Sequence, residues 1–274
     1  MPSQPPTHGS HSQTDQYTNC PLAYKLHRLD RVPQLQAVWF VPGTAAHAAC
    51  EQWELSGRTA DIAALYAASF DTELAALLAK HPDEPEWIRG GVKSLDRDIH
   101  ERRAKGTAQV ASYARWAVEQ EWRVWTLPDD SPALEVPFEI TLGGKPVKGY
   151  IDAIWEWPDG SIEPVDLKTG TKQPETARQL GLYKVAIEKI FGESVTQGRY
   201  LMLKDMSAKP VSLARYTYEY LDELYGHVHR GIAAGAFPAR PSGGCFTCTV
   251  KRSCVEAGLH PEIQDSPVRV MPRG

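Results

Sequence analysis

The chain has 274 residues, of which 42% are hydrophobic and 23% charged, and its formal net charge is −4. This composition is typical of a soluble globular protein. Because the chain contains no run of about 18 apolar residues and its polar N-terminus lacks the apolar segment of a signal peptide, we expect no membrane span and a cytoplasmic location. The negative net charge gives no support for DNA binding. Local basic clusters nevertheless occur at Lys25/Arg28/Arg31, Arg102/Arg103/Lys105 and Lys251/Arg252.

In chain order, residues 1 to about 17 are polar and predict a disordered tail. Residues 18–257 are expected to form one domain, followed by a C-terminal tail at 258–274. The helical part of this domain covers about 43–125, with helices at 43–55, 61–80 and about 95–121. Gly106 is a weak point of the third helix. The catalytic α/β core covers about 132–235, with strands at 134–142, 147–157, 161–168, 200–203 and 211–216 and helices at 174–190 and 218–235. A Pro/Gly-rich loop at 241–257 carries three cysteines.

The main chemical signal lies in GYIDAIWEWPDGSIEPVDLKTG, residues 149–170. The turn between Trp157 and Ser161 suits a three-residue hairpin loop in which Gly160 takes the left-handed conformation. Counting back from this turn places Asp152 opposite Asp166, with Cβ atoms about 4.5–5.5 Å apart. Lys168 follows Asp166 by two residues and therefore points to the same face.

Two carboxylates this close repel each other unless a cation lies between them. A hard divalent ion such as Mg²⁺ or Mn²⁺ binds oxygen ligands of this kind. Lys168 can orient or help deprotonate a metal-bound water, or stabilise charge on a phosphate. The alternative explanation of the pattern is a surface hairpin with scattered charges.

Two helical pairs accompany the hairpin. His47 and Glu51 share a face of the first long helix, and Gln179 and Tyr183 share a face of the helix that follows the hairpin. Each pair taken alone is compatible with an ordinary structural role.

Taken in order, these motifs resemble the RecB-like branch of the PD-(D/E)xK nucleases. They are G-x-x-x-H at 43–47, G-x-I-D at 149–152, D-x-K-T-G at 166–170 and Q-x-x-x-Y at 179–183. The resemblance extends from about Cys20 to Cys254. One difference is that Ile151 stands where the superfamily has the proline of its name.

The resemblance implies an α/β, restriction-endonuclease-like core with a mixed β-sheet flanked by helices. It implies that His47, Asp152, Asp166 and the backbone carbonyl of Leu167 hold the metal. Lys168 would then assist the water nucleophile, and the residues that position the DNA strand would be Gln179 and Tyr183. Glu51 and Glu135 are weaker candidates for contacts near the metal.

Five cysteines are present, three of them at Cys245, Cys248 and Cys254. A reducing cytosol disfavours disulfides, so these thiols are expected to bind metal, with Cys20 the best candidate for a fourth ligand. Spacing alone leaves zinc and iron–sulfur equally open. One cysteine before the core and three after it resemble the iron–sulfur site of the AddB and CRISPR-associated RecB-like nucleases, which implies a [4Fe–4S] cluster that joins the two chain ends. Cys50 is expected to be a buried free thiol.

The combined prediction is a Mg²⁺- or Mn²⁺-dependent DNA exonuclease acting in recombination, repair or phage or CRISPR DNA processing. One alternative is a non-catalytic DNA-binding accessory protein that retains the nuclease fold, and another is a structural zinc protein. No G-x-x-x-x-G-K-[ST] motif is present, so a helicase or recombinase partner would be a separate chain.

Overall fold

The computed structural model describes residues 6–89, 91, 93–260 and 263, so residues 1–5 and most of the predicted C-terminal tail lie outside the described residues. The tail prediction is wrong for residues 11–17, because a helix, α1, runs over His11–Asn19. The Ser10 hydroxyl caps it by accepting from the Gln13 N–H at 3.2 Å. This polar helix has no apolar stripe and is held by outside contacts, such as the Tyr17 hydroxyl donating to the Ala236 carbonyl at 2.8 Å. Hydrophobic periodicity therefore could not reveal it.

The helical part is confirmed, with shifted boundaries. After α2 (Pro21–Tyr24) and a π-helical turn (Lys25–Leu29), its long helices are α3 (Phe40–Leu55), α4 (Ile62–Lys80) and α5 (Leu95–Ala117). Asp61 and Ser94 cap α4 and α5 by accepting backbone N–H groups, which fixes their first turns. Two short strands, β1 (Gln36–Ala37) and β2 (Trp87–Ile88), pair in parallel beside these helices.

Gly106 is the point at which α4 and α5 approach closely. A Cβ atom at Gly106 would lie 1.9 Å from the Tyr66 hydroxyl oxygen, so only glycine fits against this buried ring. Among the described residues one helix, α4, could cross a membrane by length and composition alone, which is weak evidence for a span. Its Asp71 forms an ion pair with Arg103 of α5 at 2.6 Å. The absence of a membrane span stays a prediction.

The mixed β-sheet is confirmed. Its strands are β3 (Arg123–Val124), β4 (Leu134–Leu142), β5 (Lys145–Glu156), β6 (Ile162–Lys168), β7 (Gln197–Met202) and β8 (Pro210–Ser212). They are ordered β3-β5-β6-β7-β8, with β4 also paired to β5. Within this sheet β6 and β7 pair in parallel, whereas the other strand pairs of the described residues are antiparallel. Helix α6 (Arg178–Phe191) makes the crossover between β6 and β7. The chain continues through α7 (Tyr218–Ala233) to α8 (Val255–Gly258).

Two sequence-based boundaries were wrong for physical reasons. The helix predicted to begin at 174 begins at Arg178, because the Thr176 carbonyl accepts a hydrogen bond from Tyr200 at 3.0 Å and belongs to the preceding loop. Strand β7 begins earlier than predicted, because its polar residues Gln197 and Arg199 both bind the buried Glu163 carboxylate at 2.5 Å. Glu163 neutralises the charge of Arg199 and accepts a hydrogen bond from Gln197, so the polar sequence of this segment does not resemble a buried strand.

Apolar side chains cover both faces of the sheet. One cluster packs beneath α6 and includes Ile151 of β5, and the other packs beneath α3–α5 and includes Ala153. A regular strand would direct residues 151 and 153 to the same face. Strand β5 therefore changes faces at Asp152, which leaves this side chain at the boundary between the two clusters.

Candidate active site

Asp152 and Asp166 lie where β5 and β6 separate. The pairing runs from Glu156↔Ile162 to Ala153↔Val165, and its next position sets Asp152 opposite Asp166, which confirms the predicted register. At that position the Leu167 N–H donates to Asp152 Oδ2 at 3.0 Å. A backbone-to-side-chain hydrogen bond therefore joins the two strands at the point where their backbone pairing ends.

The Asp166 carboxylate is buried, with 1% of its side chain exposed, and Lys168 Nζ lies 2.6 Å from its Oδ2. No donor among the described residues meets either Asp166 oxygen at hydrogen-bonding geometry. Burial raises the pKa of Asp166, and the charge of Asp152 adds to this effect, so the pKa is about 7 although Lys168 opposes the shift. A buried carboxylate without a hydrogen-bond donor, such as that of Asp166, is suited to bind a cation.

His47 projects from α3 toward these carboxylates. Its Nε2 lies 2.9 Å from the Leu167 carbonyl oxygen, and its Nδ1 lies 3.3 Å from Asp152 Oδ2 and 3.8 Å from Glu135 Oε1. Burial lowers the pKa of His47, but the nearby Glu135 carboxylate and the charges of Asp152 and Asp166 outweigh it and raise the pKa to about 9.

Glu135 joins this group from β4. The pairs Leu134↔Ala153 and Val136↔Ile151 set Glu135 opposite Asp152, and its φ of 45° is in the left-handed region. One ligand atom from each of His47, Glu135 and Asp152 lies within 4.8 Å of the others. Sequence reasoning rated Glu135 a weaker candidate, because its position opposite Asp152 becomes visible only from the β4–β5 register.

Gln179 and Tyr183, one turn apart on α6, connect the two ends of the site. Lys168 Nζ donates to Gln179 Oε1 at 3.0 Å, Gln179 Nε2 donates to the Tyr183 hydroxyl at 2.9 Å, and that hydroxyl donates to Asp152 Oδ1 at 3.2 Å. Burial, followed by the charges of Asp152 and Asp166, raises the pKa of Tyr183, so the hydroxyl stays protonated. The result is a continuous chain of hydrogen bonds from the lysine to the carboxylate.

The donor set fits a hard divalent cation. It combines carboxylate oxygens with a backbone carbonyl and one imidazole. The oxygens of Asp166 accept no hydrogen bond among the described residues, and a bound cation would interact with them instead. Glu51 lines the same small cavity as His47 and Glu135. Burial and the charge of Glu135 raise the pKa of Glu51. The Glu51 carboxylate does not belong to the group formed by His47, Glu135 and Asp152, whose ligand atoms lie within 4.8 Å of one another.

The structure also brings together the four cysteines named from the sequence. Cys20 directly follows α1, and it lines one cavity of about 540 Å³ with Cys245, Cys248 and Cys254. Burial raises the pKa of Cys248, and the other three thiols add to the shift. Cys50 lies apart, buried in α3, as predicted for a free thiol.

Carboxylates on adjacent strands of a mixed sheet, with a lysine two residues after the second, form the arrangement of a nuclease core. The chain belongs to the PD-(D/E)XK nuclease superfamily, whose family model matches residues 8–255. It is 37% identical over 256 residues to the Gene 69 protein of Mycobacterium phage D29 and 32% identical over 275 residues to the Gene 69 protein of Mycobacterium phage L5. Each alignment covers 89% of this chain and 94% of the phage protein.

A solved structure described as the crystal structure of SSO0001 aligns with 81% of this chain and 86% of its own at 12% identity. The TM-score of this alignment is 0.31. The superfamily prediction is confirmed, whereas the RecB-like, iron–sulfur branch stays a prediction.

Proposed function

We propose that this protein is a Mg²⁺- or Mn²⁺-dependent deoxyribonuclease that hydrolyses phosphodiester bonds at DNA ends. The observation that carries the proposal is the placement of Asp152 and Asp166 on adjacent strands, with Lys168 in contact with Asp166 at 2.6 Å. The hydrogen-bond chain through α6 supports it, because a surface hairpin with scattered charges has no need of such a connection.

His47, Asp152, Asp166 and the Leu167 carbonyl would hold the cation, with Glu135 as an additional oxygen ligand. When bound, the cation polarises the phosphate and lowers the pKa of water. His47 must lose its extra proton for this role, and its proximity to the Leu167 carbonyl, 2.9 Å from Nε2, orients the ring. Asp152 is oriented from both sides, since Oδ1 accepts from Tyr183 and Oδ2 from Leu167.

Lys168 is the cationic group positioned to stabilise negative charge on the reacting phosphate. Gln179 accepts one of its N–H groups and Asp166 faces another, so the ammonium is held while a further N–H is left for substrate or water. Fixed donors of this kind need little rearrangement during the reaction.

Action at DNA ends is proposed from the resemblance of the motifs to the RecB-like nucleases. The proposal includes a cytoplasmic location and a helicase or recombinase partner on another chain.

For the cysteine cavity we propose a [4Fe–4S] cluster. No three of its four thiols form a group within 4.8 Å among the described residues, whereas tetrahedral zinc with Zn–S of about 2.3 Å requires sulfurs roughly 3.8 Å apart. The cluster would tie Cys20 to the loop that contains Cys245–Cys254. Anaerobically purified protein should be brown and contain iron and sulfide. Cys248→Ser should lose both with a fall in Tm, and Cys50→Ser should keep them. Colourless protein with one zinc per chain would reject the cluster.

The experiment for the nuclease proposal compares wild type with Lys168→Ala in Mn²⁺, using end-labelled linear DNA and circular single-stranded DNA. Wild type should degrade the linear substrate and spare the circle, and Lys168→Ala should lose at least about 100-fold in rate. Lys209→Ala is the matched control, because Lys209 is exposed and far along the chain from the site. Wild type that binds DNA but cuts none with either cation would favour the accessory protein.

A further inference from the structure

Tyr150 differs from the other tyrosines of the chain in having no partner. Of the eleven tyrosines, all but Tyr150 form a ring contact or a hydrogen bond with another described residue. Tyr150 lies within β5 and is 61% exposed. Its ring is therefore available to a molecule outside the fold.

The strand pairing directs Tyr150 to the face of the sheet opposite α6. Ile151, the next residue along, packs in the cluster beneath α6, so the Tyr150 side chain points away from that cluster. On β4, Pro137 precedes Phe138 of the same cluster and pairs directly with Tyr150. Both Tyr150 and Pro137 are exposed, and as cross-strand neighbours they form one small apolar surface, the Tyr150–Pro137 surface.

The Tyr150–Pro137 surface adjoins the group of His47, Glu135 and Asp152. Only one residue pair of the β4–β5 register separates it from Glu135 and Asp152. Two residues of an antiparallel strand span about 7 Å. A DNA strand with one phosphate at the metal is therefore long enough to place a neighbouring base over the Tyr150 ring.

The size of the Tyr150–Pro137 surface suits a single base. The next pair along the two strands, Glu139 and Lys148, forms an ion pair at 2.8 Å between exposed side chains. The apolar surface thus lies between the carboxylates of the site and a charged pair. A nucleobase stacks on an exposed aromatic ring whatever its identity, whereas a protein partner requires a larger apolar patch.

We propose that Tyr150 stacks against an unpaired base of the DNA strand, next to the phosphate held at the metal. Within a duplex each base is already stacked on its neighbours, so this contact favours single-stranded DNA. The proposal rests on the nuclease function, because its ligand is the strand that this function supplies. Tyr150 is thus a substrate-positioning residue, and it acts on the base whereas Lys168 acts on the phosphate.

The test measures binding in EDTA, where no metal-dependent cleavage occurs, to two strands of equal length and charge. One is an ordinary single-stranded oligonucleotide, and the other has an abasic tetrahydrofuran residue at every position. Tyr150→Ala should bind the ordinary strand about tenfold more weakly than wild type and the abasic strand equally well. Tyr150→Phe keeps the ring and should bind both strands as wild type does. Tyr220→Ala, at a partly exposed tyrosine of α7, is the control and should also behave as wild type.

Equal losses of Tyr150→Ala on the two strands would overturn the proposal, because a structural defect does not depend on whether a strand carries bases. Unchanged affinity of Tyr150→Ala would overturn it as well, as would a loss in Tyr150→Phe as large as that in Tyr150→Ala. Wild type that shows the base-dependent effect but never cuts DNA in Mn²⁺ would reject the nuclease function and keep the stacking contact. Wild type that cuts DNA without the effect would reject the contact alone, and wild type that neither binds nor cuts DNA would reject both.

Discussion

The Tyr183 hydroxyl donates to Oδ1 of Asp152 at 3.2 Å, and this single bond joins helix α6 to the strand that carries the proposed metal ligand. The same hydroxyl accepts from Gln179, whose carbonyl oxygen accepts from Lys168. The orientation of a carboxylate on β5 and of an ammonium on β6 is therefore set by the same two residues of α6.

Removing the Tyr183 hydroxyl should impair catalysis more than stability. In Tyr183→Phe, Asp152 loses a donor and Gln179 loses an acceptor, while the ring keeps its packing against Phe138. We expect a roughly tenfold loss of kcat/KM in Mn²⁺, with little change in Tm. Tyr218→Phe is the control, since that hydroxyl donates to the Thr141 carbonyl away from the site.

Because Gln179 and Tyr183 belong to one chain of hydrogen bonds, their effects should not be independent. Gln179→Ala should also cost about tenfold in kcat/KM, and the double variant should lose less than the product of the single losses. Fully multiplicative losses would show that the two side chains act separately.

The stability of the metal-free protein should depend on the Asp166 carboxyl. Its folded-state pKa of about 7 exceeds the usual value of 3.8, first because of burial and then because of Asp152. Between these values the folded state binds more protons than the unfolded state, so stability falls as pH rises from about 4 to 7. Asp166→Asn should therefore raise Tm at pH 8 and change it little at pH 4, measured in EDTA. A lower Tm at pH 8 would show that the Lys168 ion pair outweighs burial.

Divalent cations should reverse this dependence in the wild type. Metal binding requires Asp166 without its proton and His47, whose pKa is about 9, without its second proton. The Mn²⁺-induced rise in Tm should therefore increase from pH 6 to pH 8.5, and Asp166→Asn should flatten the increase.

The hairpin site could be predicted because its information is local. The turn at Gly160, which has a φ of 82°, fixes the register, and period-two alternation then places Asp152, Asp166 and Lys168. Helical spacing placed Gln179 and Tyr183 on one face of α6, and their roles were predicted from the resemblance to the RecB-like nucleases. In each case the residues that determine the local structure lie close together in the sequence.

The parts that could not be predicted depend on distant contacts. Helix α1 is polar and ordered by bonds to residues more than 150 positions away, such as Arg178 and Ala236. Glu135 enters the site only through strand pairing and an unusual φ, and the buried ion pair of Glu163 with Arg199 makes a strand look like a loop. No pattern within a short window records such contacts.

Helix packing in the N-terminal part depends on Gly106. Gly106→Ala would place a methyl group 1.9 Å from the Tyr66 hydroxyl, so α4 and α5 must move apart. We expect a loss of about 1–3 kcal/mol in the free energy of unfolding, measured by denaturant titration. Gly170→Ala is the matched control, because a Cβ there meets nothing within 4 Å. Equal stability of the two variants would show that the helices accommodate the methyl group.

Glu135 offers a direct test of the metal-binding group. Its carboxylate lies 3.8 Å from His47 Nδ1 and stands opposite Asp152 in the register, whereas Glu51 lines the same cavity outside the group within 4.8 Å. Glu135→Gln should weaken Mn²⁺ binding about 10-fold to 100-fold, and Glu51→Gln should change it by less than about threefold. Both affinities are measured by Mn²⁺ titration of the folded protein at pH 8. If Glu51→Gln has the larger effect, the cation lies deeper in the cavity, next to α3, and the ligand set must be reassigned.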